Sequence, residues 1–177
     1  MHPRLVELLE YVGAQRAVLL ASVEAVPAER RDVRPAPEVW SVAEVLEHLC
    51  LTETGIGRLV ARCAAEARQR GLEPEDDVSS LLGALDRFGL VRGARVGKAP
   101  EIVAPSGTWS WSEGLQRLGA SREAFGRAVA AGDGLALGRV TFPHPLLGPL
   151  SLYQWILFVG QHEARHAAQV RARAAGG

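Results

Sequence analysis

Only five histidines occur in the chain, and two of them are spaced for joint chemistry. His162 and His166 stand four apart in a segment of helical periodicity. At about 100° per residue, that spacing puts both imidazoles on one helix face, one turn apart. Two neutral ring nitrogens so placed can grip one borderline cation such as zinc, nickel or iron. The string His162-Glu163-Ala164-Arg165-His166 also fits the His-Glu-x-x-His pattern of zinc metalloproteases. There the third ligand usually lies downstream, yet no His, Asp or Glu follows His166. The extended protease form needs a Gly and a His spaced after the second ligand, and these do not occur. No strand presents itself for pairing with a peptide substrate. The third ligand is therefore expected upstream, and His48 is the best candidate. It lies on an earlier helix, on the flank of an apolar stripe. Three imidazoles leave coordination positions for water or substrate, the open geometry of a catalytic metal.

Around these three, several residues invite a role. Glu163 is about 100° from His162 and about 60° from His166 on the helical wheel. It can act as a base, accept a hydrogen bond from a ligand, or be an exposed helix charge. Glu44 and Gln169 are candidates to accept a ligand's other N–H, although Glu44 also suits a helix cap. Thr52 belongs to the inward face that carries His48. Trp155, about 20° from His162 and two turns earlier, either walls the pocket or packs in the core. His144, between two prolines, lines the site entrance or simply serves a turn. Arg165 is expected on a solvated face, and Cys50 is expected to face away from the metal.

Four helices must position these groups. The first spans about Arg4 to Val26, with Leu5, Leu8, Leu9, Val12, Leu19, Val23 and Val26 as its stripe; Pro27 ends it. The second spans about Val42 to Gly71. Ser41 and Glu44 make a capping box, with Trp40 and Val45 as a staple pair. Within it Gly55 and Gly57 allow close packing or a bend. The third spans about Trp111 to Ala131, with a second capping box from Ser110 and Glu113. The fourth spans about Leu152 to Ala174, with Ser151 and Gln154 as cap and Leu150 and Trp155 as staple. Between the second and third lies a long connection, Leu72 to Thr108, in which Val78 to Phe88 is expected to form a short helix. Arg139 to Pro149, with four prolines and glycines among its residues, reads as an extended piece with tight turns.

The expected fold is thus all-α: one domain, residues 1–177, forming an antiparallel four-helix bundle with a long connection between the second and third core helices. A chain of 177 residues can bury a sizeable core. Apolar residues make up 47% and charged residues 23%, with 20 basic against 20 acidic side chains. That balance lacks the basic footprint of a nucleic-acid binder and gives no pull toward an anionic membrane. Cys50 and Cys63 are about 20 Å apart along one helix and cannot pair there. Free thiols, no signal-peptide core and no membrane-length apolar run point to the cytoplasm.

The chain resembles the DinB-like group of small metal-binding helical bundles. The resemblance lies in Trp40-Ser41-Val42-Ala43-Glu44-Val45-Leu46-Glu47-His48-Leu49, in His144-Pro145-Leu146-Leu147-Gly148-Pro149-Leu150-Ser151, and in Gln154-Trp155-Ile156 followed by His162-Glu163-Ala164-Arg165-His166 and Gln169. It covers most of the chain and implies His48, His162 and His166 as ligands of one divalent metal, zinc or nickel. It also implies a four-helix bundle and frequent homodimers. Family activity divides between hydrolases and transferases or isomerases that use a low-molecular-weight thiol. The substrate is accordingly expected to be a small molecule, attacked by a water or thiol that the metal has activated. For an acidic thiol, Arg92, Arg95 and Lys98 are candidates for a basic pocket. The rival reading is a non-enzymatic metal-binding or dimerising stress protein. A metal with open positions beneath a pocket would favour the enzyme; a shell closed by protein side chains would favour the rival.

Overall fold

The computed structural model describes residues 1–91 and 99–175. It is mostly helical, with α1 (Pro3–Glu24), α2 (Val42–Gln69), α3 (Trp111–Ala130) and α4 (Leu152–Ala175), and one hairpin, β1 (Thr141–His144) and β2 (Gly148–Ser151). The helix starts follow from their caps. Ser41 and Glu44 close a reciprocal box at the start of α2. Ser151 and Gln154 do the same before α4. Ser110 caps α3 by accepting from the Glu113 N–H, but the Glu113 carboxylate turns to Arg117 instead.

The all-α expectation is amended by the hairpin. Its antiparallel register pairs Thr141 with Ser151 and His144 with Gly148. Pro143 faces Pro149, so the ladder is short and ends at α4. The helix expected over Val78 to Phe88 is reduced to a single 3-10 turn, Asp86–Phe88. Side chains from α1 have taken the backbone groups a helix would use. Arg4 Nε donates to the Ser79 carbonyl at 3.0 Å, and the Leu81 N–H donates to Glu7 at 2.9 Å. Asp77 accepts the Ser79 N–H at 2.8 Å, an Asx turn competing with helix.

α1 packs along α4, α2 along α3, and α2 also against α4. The apolar side chains form two clusters. Leu5, Leu8, Val12, Ile56, Val60, Phe125 and Ile156 belong to one; Leu19, Val23, Leu46, Leu49, Leu118 and Val170 belong to the other. Between them Arg16, Glu53, Arg122 and Glu163 meet, one charge from each helix. The order of clusters along the chain gives the sense of each helix. α1 and α4 run from the first cluster to the second, and α2 and α3 from the second to the first. Consecutive helices are therefore not uniformly antiparallel. The long connection after α2 returns the chain to the end where α2 began, where the Trp111 N–H donates to Asp32 at 2.7 Å.

Neither glycine expected to allow close packing does so by necessity. A Cβ on Gly55 would meet open space, and one on Gly57 would make ordinary contact with Phe125 at 3.6 Å. The close approach is at Gly160, where a Cβ would stand 2.7 Å from Tyr11 Cε1 and 3.4 Å from Val12 Cα. In urea denaturation, Gly160→Ala is expected to lose about 1–3 kcal/mol through overpacking. Gly55→Ala is expected to gain up to about 1 kcal/mol from helix propensity alone. Equal signs for the two would refute the close-approach argument.

Candidate metal centre

His48 comes from the second turn of α2, and His162 and His166 from successive turns of α4. Their Nε2 atoms converge. His162 Nε2 lies 3.2 Å from His48 Nε2 and 3.1 Å from His166 Nε2. Imidazoles bound at about 2.0–2.1 Å to one cation place their nitrogens roughly 2.8–3.4 Å apart across octahedral or tetrahedral angles. The spacing observed falls within that interval.

The protonation state agrees. His48 Nδ1 lies 2.7 Å from the Val103 carbonyl, which can only accept, so Nδ1 carries the hydrogen. In a neutral ring that leaves a lone pair on Nε2. Burial lowers the His48 pKa, opposed by that bond. Burial, then the neighbouring His48, pushes His166 down to about 3. His162 is depressed as well, by burial and by His166 and His48. At neutral pH three uncharged imidazoles thus aim their nitrogens at one point, and a single shared proton cannot satisfy all of them. A cation can, so the residues present fit a divalent metal. Among the described residues, the metal-type donors lying within 4.8 Å of one another are those of His48, His162 and His166.

The chain belongs to the DinB superfamily. The family model carrying that description matches residues 11–170. A Bacillus subtilis (strain 168) protein named "Uncharacterized protein YuaE" is 31% identical over 144 residues, covering 81% of this chain and 82% of its own length. No solved structure matches the chain significantly. The DinB match runs across all four helices and therefore includes every histidine of the cluster.

In this DinB protein the cluster forms the floor of a cleft of 1670 Å3 between α2 and α4. Aromatic rings fix the imidazoles. Trp40 packs 5.0 Å from the His48 ring, and Phe158 stacks on His162 at 5.2 Å. Thr52, Trp155 and Gln169 line the same cleft. The Thr52 hydroxyl and His166 Nδ1 are buried with no hydrogen-bond partner. Trp155 donates Nε1–H to the Phe142 carbonyl at 3.2 Å and packs on His144. Arg165, expected on a solvated face, is half-buried in the cleft wall. Arg92, Arg95 and Lys98 lie outside the described residues.

Two candidates are engaged elsewhere. Glu44 is held by Arg34 and by the Ser41 N–H of its capping box. Glu163 is no exposed helix charge, being 1% exposed. Its Oε1 accepts from Arg16 at 2.5 Å and Arg122 at 2.8 Å. Burial raises its pKa, and the two guanidiniums oppose that rise. Sequence reasoning missed Val103, because a backbone carbonyl leaves no signature in residue type. It also missed Trp40 and Phe158 as walls, although Phe158 precedes His162 by one helical turn.

His144 combines both roles suggested for it. It lines the cleft and closes the hairpin, its Nδ1 accepting the Leu146 and Leu147 N–H groups at 3.1 and 3.2 Å. Burial depresses its pKa from 6.5 to about 4. Folding therefore favours the neutral ring. Its contribution to stability is complete above about pH 6.5 and declines as pH falls from there through about 4. His144→Asn keeps an acceptor and removes the titration. Its urea midpoint is expected to fall less steeply than that of the wild type between those pH values; parallel pH profiles would refute the assignment.

Proposed function

We propose that this chain is a metal-dependent enzyme acting on a small molecule, with His48, His162 and His166 as the protein ligands of one divalent cation, zinc or nickel. The observation that carries the reading is the convergence of three Nε2 atoms at the floor of an open cleft. We read the four helices as one bundle domain whose α2 and α4 supply the ligands. When bound, such a cation supplies Lewis acidity that makes water or a thiol nucleophilic at neutral pH.

The chain's own residues set the rest. His48, His162 and His166 present neutral nitrogens from two helices and leave the cleft side open for substrate. Trp40 and Phe158 exclude water from the rings they cover. The cleft lining includes Arg30, Arg34, Arg58, Arg62, Arg165 and Arg173 against the single carboxylate Glu38. Arg34 is paired with Glu44. In a chain of balanced charge, that concentration favours a small molecule bearing acidic groups. Apolar walls from Ile56, Leu59, Phe142 and Leu146 suit its carbon body.

Transfer to or from a low-molecular-weight thiol and hydrolysis both fit such a site, since a cation there activates either nucleophile. Glu163, the nearest base candidate in sequence, gives its Oε1 to Arg16 and Arg122, while its Oε2 is buried with no hydrogen-bond partner. Neither nucleophile depends on a protein base, because coordination deprotonates a thiol outright and lowers the pKa of bound water. The open side of the cluster supports an enzyme over a metal-holding structural protein.

Elemental analysis of protein purified without a metal-affinity tag is expected to find about one zinc or nickel per chain, the occupancy of one three-nitrogen catalytic site. His48→Ala and His162→Ala are expected to retain helical circular dichroism and to lose most of that metal. Full metal content in both variants, or none in the wild type after supplementation, would overturn the reading.

A further inference from the structure

We propose that Glu47 is a positioning residue for the metal centre: it clamps the segment 99–108 against α2 and so fixes the carbonyl that orients His48. The proposal rests on the reading of His48 as a metal ligand. Glu47 is 3% exposed. Its Oε1 accepts the Ser106 N–H at 2.9 Å and the Ser106 hydroxyl at 2.7 Å, and its Oε2 accepts the Gly107 N–H at 3.2 Å. A buried carboxylate needs hydrogen-bond donors to replace the water it loses. Among the described residues, its donors all come from this one strap.

Three residues before Ser106, the Val103 carbonyl accepts from His48 Nδ1. Glu47 and His48 are neighbours on α2 and project about 100° apart. The strap is therefore fastened at two points across one corner of the helix. A 3-10 turn, Glu101–Val103, ends at the first of these points, and the chain is extended at Ala104 on its way to the second. At Gly107 the backbone takes φ +73°, the left-handed region, and a Cβ would stand 3.4 Å from Glu44 Oε1. That turn carries the Gly107 N–H to Glu47.

The consequence is at the His48 ring. With Nδ1–H held by Val103, Nε2 is left as the lone-pair nitrogen facing His162. Without that acceptor, the neutral ring is free to move its hydrogen to Nε2, the tautomer that offers no Nε2 lone pair toward His162 and His166. Glu47 thus acts on His48 through the strap and not by touching it. The same strap lines the cleft through Ala99, Pro100, Ile102, Val103 and Ala104. One clamp therefore sets both a substrate wall and a ligand's orientation.

Two full-length variants test this. Glu47→Gln keeps the shape and one acceptor but sets an amide NH2 against the Gly107 N–H. Ser106→Ala leaves Glu47 intact and removes one donor. Zn2+ alone is titrated against a chromophoric chelator, and the His48 tautomer is read by 15N NMR in the metal-free proteins. Glu47→Gln is expected to weaken Zn2+ binding about tenfold or more, as lost ligand orientation does, and Ser106→Ala by less. Metal-free wild type is expected to show His48 hydrogenated at Nδ1, and Glu47→Gln a mixture of tautomers. Unchanged affinity and tautomer would overturn the proposal. Weaker binding with an unchanged tautomer would also overturn it, assigning the loss to packing. If wild-type protein binds no Zn2+, the metal reading fails, and the tautomer comparison alone decides the role of Glu47.

Discussion

Two guanidiniums and two carboxylates, one from each helix, occupy the middle of the molecule, and the geometry of the histidine cluster depends on them. Arg16 bridges Glu163 and Glu53, and Arg122 bridges the same two carboxylates from the other side, at 2.5–3.1 Å. Ser121 adds a hydroxyl to Glu53. The formal charges cancel. Burying them carries a desolvation cost that apolar packing would avoid, so net stability is a weak reason for their presence. Registry is a better one. Apolar faces tolerate a helix that slides, whereas four opposed charges at hydrogen-bond distance do not. Glu53 lies little more than a turn beyond His48, and Glu163 directly follows His162. Fixing α2 against α4 at this layer therefore fixes the distance across which the imidazoles must meet.

The helices were legible in the sequence because their caps and stripes obey local rules. Ser41 with Glu44 and Ser151 with Gln154 mark starts that the structure reproduces to the residue. The i, i+4 pair His162 and His166 was legible for the same reason, since one helix sets their separation. His48 was legible as a histidine flanking a core stripe, and its meeting with α4 is a tertiary fact. The charged layer also left a signal that the stripes obscured. Arg16 falls between Val12 and Leu19, Glu53 between Leu49 and Ile56, Arg122 between Leu118 and Phe125, and Glu163 between Val159 and Ala167. At this level each helix contributes one charge to the interior, and the four sum to zero. Glu163 was instead weighed against its neighbours on one helix, where a base, an ion pair and a solvated charge look alike.

What could not be read has a common physical cause: it depends on groups whose partners are distant and whose type carries no pattern. The segment Val78 to Phe88 has helix-compatible residues, but Arg4 and Glu7 on α1 bind its backbone and side chains first. Gly160 resembles any other mid-helix glycine until Tyr11 is placed against it. The sense of the helices follows from the length of the connection after α2, which permits a return without specifying one.

Net charge illustrates the difference between a chain and a surface. Twenty basic against twenty acidic residues argues against a broad polyanion-binding face. It does not describe the cleft, because folding sorts charges by neighbourhood. Glu44, Glu53 and Glu163 are drawn inside and matched to arginines there. Glu47, also inside, is matched to neutral donors of the strap. With so many carboxylates internalised, arginines such as Arg58 and Arg62 on the same helix are left to face the cleft. The excess of arginine over carboxylate beside the histidines is thus a by-product of how the interior is held together. The forces that set the helices in register also decide which charges line the cleft.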